Sequence, residues 1–226
     1  MMPGWLFDAT AWILPVVFAV TLHEAAHGWM AEKFGDNTAR SLGRVSFNPL
    51  RHIDRMGTVI LPGILLILHS PFLFGYAKPV PVNFRQLQPV RLGMFMVALA
   101  GPASNLLQAI IAGLLIHIDV WVKPEQATWF FMNLYRALVV NCVLAVFNMI
   151  PILPLDGGRV AASFMRGWLL RAFSKLERYG VVLVMLVILV PQLAGINLVQ
   201  KFVGPPVFWL SEHVLWVTGN SGASAL

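Results

Sequence analysis

The sequence predicts an all-α polytopic membrane protein with a small β or re-entrant element. Three observations predict it. Hydrophobic residues make up 58% of the 226 residues and charged residues only 12%, about half the charged share of a soluble domain. Mean hydropathy is +0.74. Four or five apolar runs approach the roughly 20 residues that cross a bilayer, and Lys and Arg gather between them. This composition excludes a disordered chain. The single cysteine, Cys142, excludes an internal disulfide and a Cys-rich zinc site. The net charge of +6 and the pI of about 10 fit basic loops lying against anionic lipid. No polar domain stands out that would carry nucleic-acid binding.

The first run, residues 9–31, is expected to be a spanning helix. Residues 1–8 lack Lys and Arg and no small-residue cleavage site follows, so the run does not read as a signal peptide. Residues 32–55 are polar and basic, and 39–47 can form short strands between Gly and Asn-Pro turns. Residues 56–77 are apolar but carry Pro62, Gly63, Pro71 and Gly75. Residues 78–83, with Pro79 and Pro81, read as extended because proline lacks an N–H and restricts the residue before it. Residues 94–118 form a long apolar segment interrupted by Gly101-Pro102, and 128–155 another that ends in Pro151 and Pro154. Residues 159–178 set Phe164, Trp168 and Phe173 among basic residues, as an interfacial amphipathic helix does. Residues 181–196 and 203–218 close the chain as marginal spans, and 219–226 read as a frayed tail.

Lys and Arg number none in 1–8, five in 32–55, three in 78–91, one in 119–127 and five in 151–178. The positive-inside rule then puts the amino terminus outside and the basic segments in the cytoplasm. Residues 56–77 would start and end on one side, as a re-entrant segment buried in protein or lining a wet cavity. Arg136, inside the fourth apolar run, is expected to snorkel to the outer interface. The eight Trp suit belt positions.

The chief chemical signal is His23-Glu24-Ala-Ala-His27, the H-E-x-x-H pattern. On a helix His23 and His27 share one face and can meet one metal ion, with Glu24 beside them as general base toward a water. A bland helix end with two interfacial histidines competes with this reading. Three ionisable groups at bilayer depth are costly, however, about 2.5–3.5 kcal/mol for each ionised group, and a metal offsets that. A catalytic zinc site takes three protein ligands and keeps one open position. Asp156, before Gly157-Gly158 at the cytoplasmic end of the fourth run, is the first candidate for the third. It also reads as a turn or helix cap. Glu32 and Asp36 compete from nearer in sequence.

These residues resemble the site-2 protease family of intramembrane zinc metalloproteases. The resemblance rests on His23-Glu24-x-x-His27, on Asn148-x-x-Pro151-x-x-Pro154-Leu155-Asp156-Gly157-Gly158, and on Gly101-Pro102-x-x-Asn105 between them. The motifs stand in the family's order and span most of residues 15–175. The resemblance implies a three-helix catalytic core with added helices, and one Zn2+ per chain on His23, His27 and Asp156. It also implies Glu24 as the catalytic glutamate and a membrane-protein substrate cut in a membrane-embedded segment. The chain reads as a compact member without the PDZ or CBS domain some members carry. It is expected to be one domain over 1–226, with the core at roughly 9–160 and accessory helices at roughly 161–218.

Asn148 and Asn105 are candidate substrate-binding donors to the peptide backbone or a developing oxyanion; interhelical hydrogen bonding is the competing role. Asn141 and Gln108 read as packing residues. His52 reads as a loop histidine in preference to a second histidine near the metal. The extended 78–83 segment, with Asn83, can present an edge for main-chain pairing with an unwound substrate. The whole points to an intramembrane zinc endopeptidase in a plasma membrane, multi-pass, with its site near the cytoplasmic side. Two His and one carboxylate also suit iron. A non-catalytic metal- or substrate-binding membrane protein is the alternative. Substrate identity and oligomeric state are not written in the sequence.

Overall fold

The computed structural model describes residues 4–60, 78–121, 124–193 and 197–220. They are mainly helical, and no strand occurs among the described residues. Helix α1 (Gly4–Lys33) is followed by the short α2 (Thr38–Ser41), a 3-10 turn at Pro49–His52 and a π-helical turn at Arg55–Ile60. The long helices α3 (Val90–Leu115) and α4 (Pro124–Asn148) come next. Then follow α5 (Asp156–Phe164), α6 (Gly167–Leu176), α7 (Gly180–Leu193), α8 (Leu198–Phe202) and α9 (Gly204–Val217).

Helices α1, α3 and α4 pack against one another, with α5 against α3 and α9 against α4. The reason lies in one stripe of α3. Gly93, Val97, Gly101, Asn105 and Ala109 recur every fourth residue and are buried, so they form a single ridge along the helix. Small residues at this spacing let neighbouring backbones approach closely, which is how helices associate where lipid leaves no hydrophobic driving force between them. Gly101 is the extreme case. A Cβ there would lie 2.5 Å from His23 Cε1 and 2.5 Å from His27 Nε2. Farther along the bundle Ala109, Ala112, Leu138, Cys142, Val214 and Leu215 close the core among α3, α4 and α9.

Among the described residues two helical stretches, Val90–Ile118 and Ala127–Asn148, are long and apolar enough to cross a membrane. Four or five spans were expected, and α7 and α9 are 14 residues each, shorter than a bilayer crossing. The amphipathic segment at 159–178 is not one helix. It breaks between α5 and α6 at Gly167, whose φ of +57° suits only a residue without a Cβ. Residues 39–47 form no strands; they hold part of α2 and a loop. Residues 78–83 form neither helix nor strand among the described residues, and their prolines favour an extended backbone. Pro79 and Pro81 have no N–H to give, and the donors of Lys78, Val80 and Asn83 go to the His52 carbonyl, Glu24 and Asp36. Of the expected re-entrant segment, residues 61–77 lie outside the described residues, as does the tail at 221–226.

Candidate metal centre

Helix α1 sets His23 and His27 one turn apart on the face toward α3, both buried. Each ring is held from behind. His27 Nδ1–H donates to the Val97 carbonyl at 2.7 Å, and His23 Nδ1–H donates to Asn105 Oδ1 at 2.6 Å. With a hydrogen on each Nδ1, both Nε2 atoms carry lone pairs. These two Nε2 atoms lie 3.0 Å apart.

The third group arrives from far along the chain. Asp156 is the first residue of α5, directly after the N-cap Leu155. Its Oδ2 stands 3.2 Å from His23 Nε2 and its Oδ1 3.3 Å from His27 Nε2. The local fold depends on the glycines after it. A Cβ on Gly157 would overlap the Met149 carbonyl, and one on Gly158 would fall 2.5 Å from the Leu153 nitrogen. The loop after α4 therefore folds back over the start of α5, and this aims the carboxylate at α1.

With both rings neutral in this tautomer, the arrangement is a set of acceptors facing one another. Asp156 Oδ2 is buried and has no hydrogen-bond partner. Two lone pairs and a carboxylate at this range repel unless a cation sits among them. Three ligand atoms from His23, His27 and Asp156 lie within 4.8 Å of one another. Atoms bound to a tetrahedral zinc at about 2.0–2.1 Å lie about 3.3–3.4 Å from each other, which is close to the spacings here. The residues present therefore fit a tetrahedral divalent ion with one position left for a fourth ligand.

The competing carboxylates are engaged elsewhere. Glu32 accepts two hydrogen bonds from Arg40. Asp36 accepts the Thr38 and Asn83 N–H groups, fixing the turn into α2. Glu24, next to His23, accepts the Val80 N–H through Oε2 at 2.7 Å. It lines a cavity of about 650 Å³ shared with the two histidines, Asp156 and Asn148. Val80, Pro81, Phe84 and Arg159 also line it. The Arg159 guanidinium sits 4.6 Å over the Phe84 ring and 2.8 Å from Glu177.

Of the asparagines, Asn148 borders the cavity, its Nδ2 donating to the Leu144 carbonyl. Asn105 is fully buried behind His23, and Asn83 is exposed, its Oδ1 accepting the Arg85 N–H; neither lines the cavity. His52 lies in the loop at the end of the 3-10 turn, its Nε2–H donating to the Ser46 carbonyl. Sequence reasoning missed the roles of Val97 and Asn141 behind the histidines. Val97 acts through its backbone, which no side-chain pattern announces. Asn141 stands in an apolar run, and that was the available signal.

The model of Peptidase family M50 matches residues 113–191. "Putative zinc metalloprotease YwhC" of Bacillus subtilis (strain 168) is 31% identical over 95% of this chain and 88% of its own length. The chain belongs to peptidase family M50. This is the site-2 protease family that the motifs resemble, and it makes the chain a metallopeptidase. "Putative zinc metalloprotease Rip2" of Mycolicibacterium smegmatis is 25% identical over 92% of this chain and 73% of its own length. The protein of that name in Mycobacterium tuberculosis (strain H37Rv) is 27% identical over 91% and 72%. No solved structure matches the chain.

Proposed function

We propose that this M50 peptidase is an intramembrane zinc endopeptidase that cuts peptide bonds in or near transmembrane segments of other membrane proteins. The single observation that carries the reading is the convergence of two histidine lone pairs and an orphaned buried carboxylate oxygen beside Glu24. His23, His27 and Asp156 hold the zinc. When bound, zinc polarises the scissile carbonyl and lowers the pKa of water from about 15.7 to about 7. Glu24 takes the proton from the attacking water and passes it to the leaving amine. The cavity wall of Val80, Pro81 and Phe84 seats the substrate, and Asn148 donates to its backbone. Asn83 lies farther out on the same segment, where it meets chain leaving the cavity. Asn105 serves the site from behind His23.

The chain lies in the plasma membrane in a multi-pass arrangement, with the site toward the cytoplasm. Supporting this are two helices of spanning length and the 30-residue α1, about 45 Å long. Exposed Trp168 and Trp216 fit interfacial depth. Arg136 lies 4.8 Å over the Trp12 ring, an arrangement that lets a cation stay within an apolar run.

The test uses a single-span reporter protein with Gly, Pro and Asn in its membrane segment, in detergent, beside elemental analysis. The wild type is expected to carry about one zinc per chain and to cut the reporter. Glu24→Gln is expected to keep zinc and lose cleavage. Cleavage at the normal rate by that variant overturns the role of Glu24, and a folded wild type that takes up no zinc overturns the metal centre.

A further inference from the structure

Behind His23 runs a chain of amides that no metal-ligand motif contains. We propose that Asn141 and Asn105 form a directional hydrogen-bond relay, which fixes the tautomer of His23 and thereby sets the metal affinity of the centre. The proposal rests on the zinc reading above and adds to it a positioning residue on a third helix.

The relay begins on α4. Asn141 Nδ2 donates to the Ala137 carbonyl at 2.9 Å, one turn back on its own helix. This turns Asn141 Oδ1 toward α3, where it accepts Asn105 Nδ2 at 2.7 Å. Asn105 Nδ2 also donates to the Ala19 carbonyl on α1 at 3.2 Å. Both hydrogens of the Asn105 amide are thus engaged, and its Oδ1 is left to face His23 Nδ1 at 2.6 Å. A flipped Asn105 would set its oxygen against the Asn141 oxygen and the Ala19 carbonyl, two acceptor clashes between buried groups. Asn105 is 0% exposed and Asn141 2% exposed.

The consequence reaches the metal side of the ring. A carboxamide can present either a donor or an acceptor, so Asn105 alone does not decide which His23 nitrogen carries the hydrogen. Asn141 decides it. With Oδ1 toward the ring, Nδ1 carries the hydrogen and Nε2 offers its lone pair to the ion. His27 needs no such device, because the Val97 carbonyl behind it is always an acceptor. The partner behind a ligating histidine sets both its tautomer and its orientation, and losing it costs about 10–100-fold in metal affinity.

The experiment compares full-length wild type, Asn141→Leu and Asn141→Asp in detergent, each shown to be folded by a cooperative thermal transition. Zinc affinity is read by competition with a chromophoric chelator, and ligand geometry by the visible spectrum of the cobalt-loaded protein. Asn141→Leu is expected to weaken zinc about tenfold, at the lower end of the range for such partners, and to perturb the cobalt bands. Asn141→Asp keeps an acceptor facing Asn105 and is expected to stay within about threefold of wild type. A packing role reverses this order, because Leu suits an apolar helix interface and a carboxylate does not. Unchanged zinc affinity in Asn141→Leu, or weaker binding by Asn141→Asp than by Asn141→Leu, overturns the relay. Should Asn141→Asp not fold, the pair Asn105→Asp and Asn105→Leu asks the same question, with Asp expected to bind more tightly and the reverse order overturning the relay. Zinc bound by wild type but insensitive to these changes removes the relay alone. A wild type that binds no zinc removes the metal centre and the relay together.

Discussion

The Glu24 carboxylate accepts the backbone N–H of Val80 at 2.7 Å. A helix residue next to the metal-centre histidines is thereby tied to an extended segment 56 positions along the chain. The bond fixes the Glu24 carboxylate against Val80, and both residues line the cavity. Pro79 and Pro81 flank the donor and keep that stretch extended.

Val80→Pro removes this donor in a setting that already favours the proline backbone. A hydrogen bond to a charged group contributes about 1.5–3 kcal/mol, so cleavage is expected to fall roughly tenfold or more while zinc content stays at the wild-type level. Steady-state kinetics beside elemental analysis check this. Cleavage that stays normal would mean that Glu24 needs no orienting bond from the wall.

Asp156→Ala is expected to weaken zinc by more than the roughly 10–100-fold that follows loss of a partner behind a ligand. Glu32→Ala is expected to leave zinc unchanged, because Glu32 is occupied with Arg40 near the surface. Chelator competition on both variants checks the pair. Zinc loss in the Glu32 variant with none in the Asp156 variant would move the third ligand.

Gly101→Ala places a methyl 2.5 Å from His27 Nε2 and His23 Cε1. Overpacking of this sort costs about 1–3 kcal/mol, and the rings must shift to admit it. The expected outcome is a lowered Tm together with lost or much weakened zinc. A variant with wild-type Tm and full zinc would show that α1 can move away from α3 at no cost.

Zinc removal is expected to lower Tm as well as to stop cleavage, because the proposed ligands lie on α1 and at the start of α5. At a free concentration of 100 times Kd it adds about 2.7 kcal/mol to the folded state. Thermal scans with and without a strong chelator, followed by zinc repletion, check both effects. A Tm that ignores zinc would place its binding on a single element.

Parts of this protein were legible in the sequence because they are local. His23 and His27 share a face whatever surrounds them, since i and i+4 lie on one side of any helix. The apolar runs at 94–118 and 128–155 match α3 and α4 closely, since length and hydropathy are properties of the run alone. The break at Gly167 was less visible, because one glycine in an amphipathic run does not announce its φ. Proline alternation at 79 and 81 announced an extended backbone but not its partners, which are side chains from α1 and from the turn before α2.

The sequence by itself determined that His23 and His27 share a helix face with Glu24 beside them, and that the chain is strongly apolar. The sequence ranked Asp156 first among the carboxylates, and tertiary structure decided that it meets the histidines while its rivals do not. Glu32 and Asp36 are nearer in sequence, but Arg40 and the turn into α2 engage them. Asp156 reaches the histidines across 133 and 129 positions, because the Gly ridge of α3 brings α1 close and the folded-back loop aims α5. The physical reason is one of range. Helical periodicity fixes neighbours within a turn, whereas the meeting of α1, α3 and α5 depends on how closely their backbones can pack, which only the assembled side chains decide.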